Sequence, residues 1–281
     1  MTSEEKKKNF NRTLFVWHKK NYRDMPWRQT HDSYKILISE VMLQQTQVNR
    51  VRTKYNEFLE QFPNVKVLAK APLGSVLRVW SGLGYNRRAK FLYECAKTIM
   101  AKHGGKFPNT YEELVLLPCI GRSTAGALLA FSFRQDTPMI DTNIRRILAR
   151  VFFKKKLPSD KALYDFAVTL IPRGKGRIWN YAMLDLGATL CTARDHSSDC
   201  PFMKLHGKVG DFIYKKPQKK FAGSRRFYRG QILKLLASKH ELEYASIQKS
   251  LKLSKHDVVS IITDLLKEGL VKRSKGKVTL P

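Results

Sequence analysis

The 281-residue chain has no apolar run approaching the length of a membrane-spanning helix, and its opening Met1-Thr2-Ser3-Glu4-Glu5-Lys6 carries no signal-peptide core. Both absences count against a membrane protein, so a soluble intracellular protein, cytoplasmic or nucleoid-associated, is expected. Cysteine is scarce: four residues at scattered spacings make no disulfide framework, which agrees with a reducing compartment. Acidic residues are scarce too. Asp and Glu number 23 against 53 Lys and Arg, a formal net charge of +30. A charge so one-sided predicts attraction to a polyanion, with affinity that falls steeply as salt rises. There is no strand alternation before residue 268, so the main body reads as all-α.

What is present is helical spacing. From Asp32-Ser33, where an N-cap is expected, Leu37, Val41, Val48, Val51, Tyr55 and Phe58 follow helical spacing. Further periodic segments run to Trp179–Leu190, with Pro and Gly at the breaks. Composition shifts near residue 208, and the segment 214–226 is a basic linker holding Pro217 and Gly223. After it come helical patterns at Gln231–Leu236, Tyr244–Leu251 and Lys255–Lys267. A basic hairpin follows, with a turn at Ser274-Lys275-Gly276. Three helices and a hairpin predict a winged helix-turn-helix over 227–281, its third helix (Ser254–Leu266) expected in a DNA groove. A small helical bundle for protein contacts is the alternative.

The run Leu116-Leu117-Pro118-Cys119-Ile120-Gly121-Arg122-Ser123-Thr124 places a Pro-x-x-Gly turn between an apolar helix end (Leu114–Leu117) and a second apolar helix. That is a helix–hairpin–helix, about 113–133. The N–H groups around Ile120, Gly121, Arg122 and Thr124 are expected to hold a DNA phosphate. Two carboxylates stand out in a basic chain. Glu40 lies one turn from Ile36 and Leu43; it is either a partnered structural charge or an acid whose pKa burial raises toward neutrality. Asp141, twenty residues past Gly121, precedes a basic amphipathic helix and is an N-cap candidate that can also serve chemistry.

Three further stretches complete a pattern: Met25-Pro26-Trp27-Arg28, Ser39-Glu40-Val41-Met42-Leu43-Gln44-Gln45-Thr46, and Trp80-Ser81-Gly82-Leu83-Gly84-Tyr85. With the hairpin, Ile140-Asp141-Thr142-Asn143 and Leu184-Asp185-Leu186-Gly187, they resemble the A/G-specific adenine DNA glycosylase family over about residues 10–207. The resemblance implies a two-lobed helix–hairpin–helix glycosylase fold over 1–213. The N-terminal residues and the segment after 141 form one lobe, roughly 32–135 the other, with the active site in the cleft. Glu40 would protonate the leaving adenine at N7 and Asp141 would stabilise the positively charged sugar. Gln45, Leu83 and Tyr85 would wedge into the base stack, and Arg28, Ser123 and Asn143 would line the site. Chemistry fits those roles. A glycosylase must extrude its base, a side chain fills the gap, and an oxocarbenium-like sugar needs a nearby negative charge. Endonuclease III-like relatives that also cut the strand carry a lysine nucleophile where this chain has Ser123, which favours a monofunctional enzyme.

The chain departs from the pattern in three places. Many family members hold a 4Fe–4S cluster on four cysteines spaced C-x6-C-x2-C-x5-C; here only Cys191 and Cys200 remain, so no cofactor is expected. Cys191, His196, Cys200 and His206 are residue types that suit zinc, at a non-standard spacing. Cys119 replaces the hairpin's usual first glycine, which bears on the phosphate clamp. A winged helix stands where many members carry a Nudix-like domain that reads 8-oxoguanine. The expected partner is double-stranded DNA with mismatched or oxidised pairs, bound by a monomer, with no membrane partner. Two rival functions stay open: a thymine glycosylase acting on G·T mismatches, and a non-catalytic DNA-binding regulator.

Overall fold

Short polar side chains set many of the helix starts. Thr2 and Glu5 exchange hydrogen bonds in a capping box (2.8 and 3.2 Å). Asp32 accepts the Lys35 amide (3.0 Å), as its position predicts. Asn64, Ser159, Ser224 and Ser254 cap in the same way. The computed structural model describes residues 2–153, 158–192, 199–206, 220–274 and 276–281.

Among them the chain forms α1 (Ser3–Asn21), a 3-10 turn (Pro26–Arg28), α2 (Ser33–Leu43), α3 (Val48–Gln61), α4 (Val65–Lys70), α5 (Leu73–Trp80) and α6 (Arg87–His103). Next come α7 (Tyr111–Leu114), α8 (Arg122–Phe131), α9 (Thr142–Phe152), α10 (Asp160–Leu170), α11 (Gly176–Thr189) and α12 (Met203–His206). The C-terminal part holds α13 (Arg225–Ser238), β1 (Glu241–Glu243), α14 (Tyr244–Leu251), α15 (Lys255–Lys267), β2 (Lys272–Ser274) and β3 (Lys277–Thr279). Its antiparallel sheet runs β1-β3-β2, with Leu242 opposite Val278 and Arg273 also opposite Val278. β1 is a strand that the sequence reading did not foresee: three residues are too few for alternation to show, and pairing with β3 supplies what periodicity could not.

The chain divides into two units. The first is Met1–Ile36, Asn109–Val115 and Ile120–Pro217; the second is Leu37–Pro108, Leu116–Cys119 and Gln218–Pro281. In the first, α11 is central. It packs on α1, α8 and α9, with Phe131 stacked on Tyr181 at 4.3 Å between ring centroids. The second hairpin helix, expected in the lobe spanning roughly 32–135, therefore belongs with the first unit. In the second unit, α6 packs on α4 and α5, and buried Val51, Tyr55 and Phe58 turn α3 toward Trp80 of α5.

The C-terminal helices join the second unit: α13 packs on α5, Lys90 donates to the Glu268 carbonyl (2.7 Å), and the Gly74 amide donates to the Pro281 carbonyl (2.9 Å). Two local expectations are corrected. The apolar pattern running through Leu43 to Val48 is two helices, broken at Gln44–Gln47 where Gln45 takes φ +58°. The hairpin's first helix ends at Leu114 rather than Leu117, and Leu116 is 82% exposed.

Candidate active site

Asp141 is the N-cap of α9. One carboxylate oxygen accepts the amides of Asn143 (2.9 Å) and Ile144 (2.8 Å), while the other accepts the Asn143 side-chain amide (2.9 Å). Burial pushes its carboxyl above the ordinary aspartate value; the Ile144 and Asn143 amides, the Asn143 side chain and the Arg146 charge pull the other way without cancelling the rise. Asn143 in turn accepts from Arg146 Nη2 (2.8 Å), and Arg146 donates to the carbonyls of Cys191 (2.7 Å) and Gly187 (2.8 Å). Gly187 explains part of the Leu-Asp-Leu-Gly motif, because a Cβ there would lie 2.5 Å from Asn143 Cβ. Only glycine lets α9 approach α11 so closely.

The loop before Asp141 is pinned as well. Asn180 accepts the Met139 amide and donates to the Thr137 carbonyl (2.9 Å each), and Asp136 accepts the amides of Gly174 and Gly176. A fixed carboxylate results, half-buried and oriented from three sides.

Arg28 is 8% exposed and gives both terminal nitrogens to Asp185 (2.8 and 2.7 Å), with its guanidinium over the Tyr181 ring. Asp185 is fully buried. Burial raises its pKa, but the His18 and Arg28 hydrogen bonds, the Arg28 charge and the Arg23 amide outweigh this, so the carboxyl lies below its ordinary value. Arg28 thus anchors the 3-10 turn to α11. The sequence reading missed Asp185 as a structural acid, although it stood inside a quoted motif.

In the second unit Glu40 is half-buried on α2, between buried Ser39 and Val41. The same helix ends in an unusual brace. Arg88 of α6 donates to the carbonyls of Val41, Met42 and Gln44 (2.9, 2.9 and 2.6 Å), to Thr46 Oγ1 (3.0 Å), and to the carbonyls of Leu83 and Gly84 (3.2 and 3.0 Å). Its guanidinium also faces the Trp80 and Tyr85 rings, and burial lowers its pKa to about 10. One side chain therefore fixes the last turn of the Glu40 helix and both expected wedge loops. Sequence reasoning missed it; an arginine in a basic helix gives no signal of burial.

Both loops hold left-handed residues, Gln45 (φ +58°) and Tyr85 (φ +48°), with Gly82 and Gly84 also at positive φ. Gln45 is exposed and Tyr85 is 43% exposed, whereas Leu83 is 3% exposed and does not protrude.

At the hairpin, Gly121 caps α8 in extended backbone (φ −93°, ψ −179°) without a side-chain acceptor, so the first N–H groups of α8 lack an internal cap. Arg122 is exposed and pairs with Asp160 (3.7 Å), Ser123 is half-buried in the first turn, and Ile120 and Thr124 are buried. Cys119 has φ +62°, the conformation for which glycine is suited, and its thiol lies well above the ordinary value because of a hydrogen bond with Cys95 and burial.

Comparison with known proteins accounts for this combination of parts. Residues 38–173 match the HhH-GPD superfamily base excision DNA repair proteins. The adenine DNA glycosylase of Mycolicibacterium smegmatis is 36% identical over 231 residues, 79% of this chain and 78% of that protein. This chain belongs to the HhH-GPD superfamily. The adenine DNA glycosylase of Buchnera aphidicola subsp. Baizongia pistaciae is 35% identical over 229 residues, covering 78% of this chain and 65% of its own length. A solved thermostable thymine-DNA glycosylase superposes with TM-score 0.70 at 30% identity, covering 73% of this chain and 97% of that one. The chain spans less than two thirds of the length of the Buchnera protein.

For this HhH-GPD protein, a four-thiolate iron–sulfur cluster does not fit the segment after α11. Its two cysteines are buried; Arg150, itself buried, donates to Cys191 Sγ (3.1 Å), and burial raises the Cys200 thiol to about 11. His196 and the His206 side chain of the zinc reading lie outside the described residues. Among the described residues no three metal-ligating side chains come together. Likewise among them, no helix is long and apolar enough to cross a membrane.

Proposed function

We propose that the protein excises adenine mispaired with guanine or 8-oxoguanine by hydrolysing its N-glycosidic bond, leaving an intact abasic strand. The carrying observation is Asp141, a carboxylate fixed by two backbone amides and the Asn143 side chain. Glu40 donates a proton to N7 of the departing adenine, which converts a poor leaving group into a neutral one. Positive charge that develops on the sugar is stabilised by the Asp141 carboxylate. Water completes the hydrolysis.

Gln45 and Tyr85, exposed on strained loops, enter the stack as the adenine leaves, and Leu83 follows if its loop opens. The uncapped amides at the start of α8 take a phosphate, with Ile120, Gly121, Arg122 and Thr124 forming the clamp. Ser123 has no amine, so no Schiff base forms with the sugar. Arg28 acts at the site through its hold on Asp185 of α11, the helix whose Gly187 packs against Asn143, which orients Asp141. The names of the curated relatives support adenine as the base. The thymine-DNA glycosylase likeness keeps thymine opposite guanine as the second reading.

The C-terminal part acts as a winged helix whose hairpin meets phosphates outside the site. Its three helices and antiparallel sheet support this reading, and exposed Lys272 and Arg273 supply the charge. Replacing both with Ala lowers the salt slope of DNA binding by about one for each phosphate no longer neutralised. Single-turnover assays on A·G, A·8-oxoguanine and T·G duplexes, with and without alkali, test the whole reading. Adenine release with strand scission only after alkali is the expected result. Thymine release alone selects the second reading, and no release from any duplex overturns both.

A further inference from the structure

Within the second unit, a cavity of about 680 Å³ lies between the wedge loops and α13. One side carries Gln45, Leu83 and Tyr85; the other carries Phe221, Arg226 and Arg229. The volume falls in the range of small-ligand sites and suits one nucleotide. Its lining contains several arginines and no carboxylate, which favours an anionic ligand. Phe221 is 59% exposed and Tyr85, whose ring also faces Arg88, is 43% exposed, so each ring presents some surface on which a base can stack.

Five arginines line the cavity and differ in what they touch: Arg50 is exposed on α3, and Arg87 lies 3.9 Å from Glu268. Arg88 is spent on loop carbonyls and Arg229 pairs with Glu268 at 2.6 Å. Arg226 is exposed on the first turn of α13 and donates to the wedge Tyr85 hydroxyl at 3.4 Å.

We propose that this cavity receives the nucleotide left unpaired opposite the excised base, and that Arg226 selects guanine there. The inference rests on the wedge role assigned above to Gln45 and Tyr85. A guanidinium offers donors only, in a planar fork. Guanine presents two neighbouring acceptors, N7 and O6, whereas adenine, thymine and cytosine present a donor or a methyl group on the same edge. In 8-oxoguanine N7 carries hydrogen, so the fork meets a donor and loses one of its two bonds. Guanine is also the partner base in both A·G and T·G mismatches, so the cavity serves either target base. An element outside the glycosylase body thereby contributes the opposite-base contact.

The test is equilibrium binding of the full chain to duplexes carrying a tetrahydrofuran abasic analogue opposite guanine, 8-oxoguanine or cytosine. The expected preference for guanine over either competitor is about tenfold. Arg226→Ala abolishes the preference and weakens binding. Arg226→Lys keeps the charge and most of the affinity but loses the preference, because the fork is gone. Arg226 is exposed, and a circular dichroism spectrum matching wild type establishes that the variants fold. Wild-type affinities within twofold across the three duplexes overturn the proposal, as does a preference that survives Arg226→Ala. No base is released in this assay, so a chain that fails to excise adenine sinks the function proposed above and leaves this test intact.

Discussion

The two units hold their candidate residues by opposite means. In the first, Asp141 sits in relaxed extended backbone (φ −95°) as a helix cap, and the surrounding polar groups lock it by hydrogen bonds and the close approach permitted at Gly187. In the second, Gln45 and Tyr85 are non-glycine residues in the left-handed region, and a single buried guanidinium braces the loops that carry them. Residues held this way cost about 1–3 kcal/mol each and persist where the surroundings over-determine them. The contrast follows the tasks proposed for these residues. A carboxylate that stabilises a charged sugar must not move, whereas a side chain that enters a base stack gains from a loop held ready to rearrange.

The contrast can be broken at either end. Arg28→Met removes the two-pronged partner of buried Asp185, leaving His18 and Arg23 beside it, and should cost about 3–5 kcal/mol in urea unfolding. The pH dependence carries its own sign. Asp185 has a folded pKa below its unfolded value, so its contribution is present above the unfolded value and is lost as pH falls through the folded one. Asp185→Asn should flatten that acid limb of stability.

A smaller cost, about 2–4 kcal/mol, is expected for Arg88→Met, which leaves buried loop carbonyls unsatisfied. The comparison sharpens if faster hydrogen exchange in this variant is confined to residues 43–47 and 81–86. Uniform exchange across both units would contradict the brace.

Asn143→Ala removes the one side-chain donor to the ionised Asp141, whose carboxyl already lies above its ordinary value. The acid limb of the single-turnover rate should move to higher pH, because the charged form loses support. An unmoved limb would detach Asp141 from the rate. The smallest effect is expected at Cys119→Gly, which relieves a left-handed cysteine and should raise stability by about 1 kcal/mol.

Much of this was legible in the sequence because it is local. Helix stripes such as Val51, Tyr55 and Phe58, the caps at Asp32 and Asp141, and the end points of α14 and α15 follow from spacing and capping chemistry. What stayed hidden depends on distant partners. Arg88 and Asp185 look like any charged residues until the fold brings carbonyls or an arginine to them. The break at Gln45 interrupts an apolar pattern that continues in register on both sides, so periodicity bridged it. Strand β1 exists only because β3 lies beside it. The burial of Leu83 likewise follows from tertiary packing, which its place between two glycines did not announce.

The central claim is that Glu40 supplies the proton for adenine departure. Single-turnover excision from an A·G duplex by Glu40→Gln, beside binding of the same duplex, tests it most directly. The expected result is a rate at least about a hundredfold below wild type with affinity within threefold, since an amide keeps the shape but cannot give the proton efficiently. Wild-type turnover in Glu40→Gln would contradict the account.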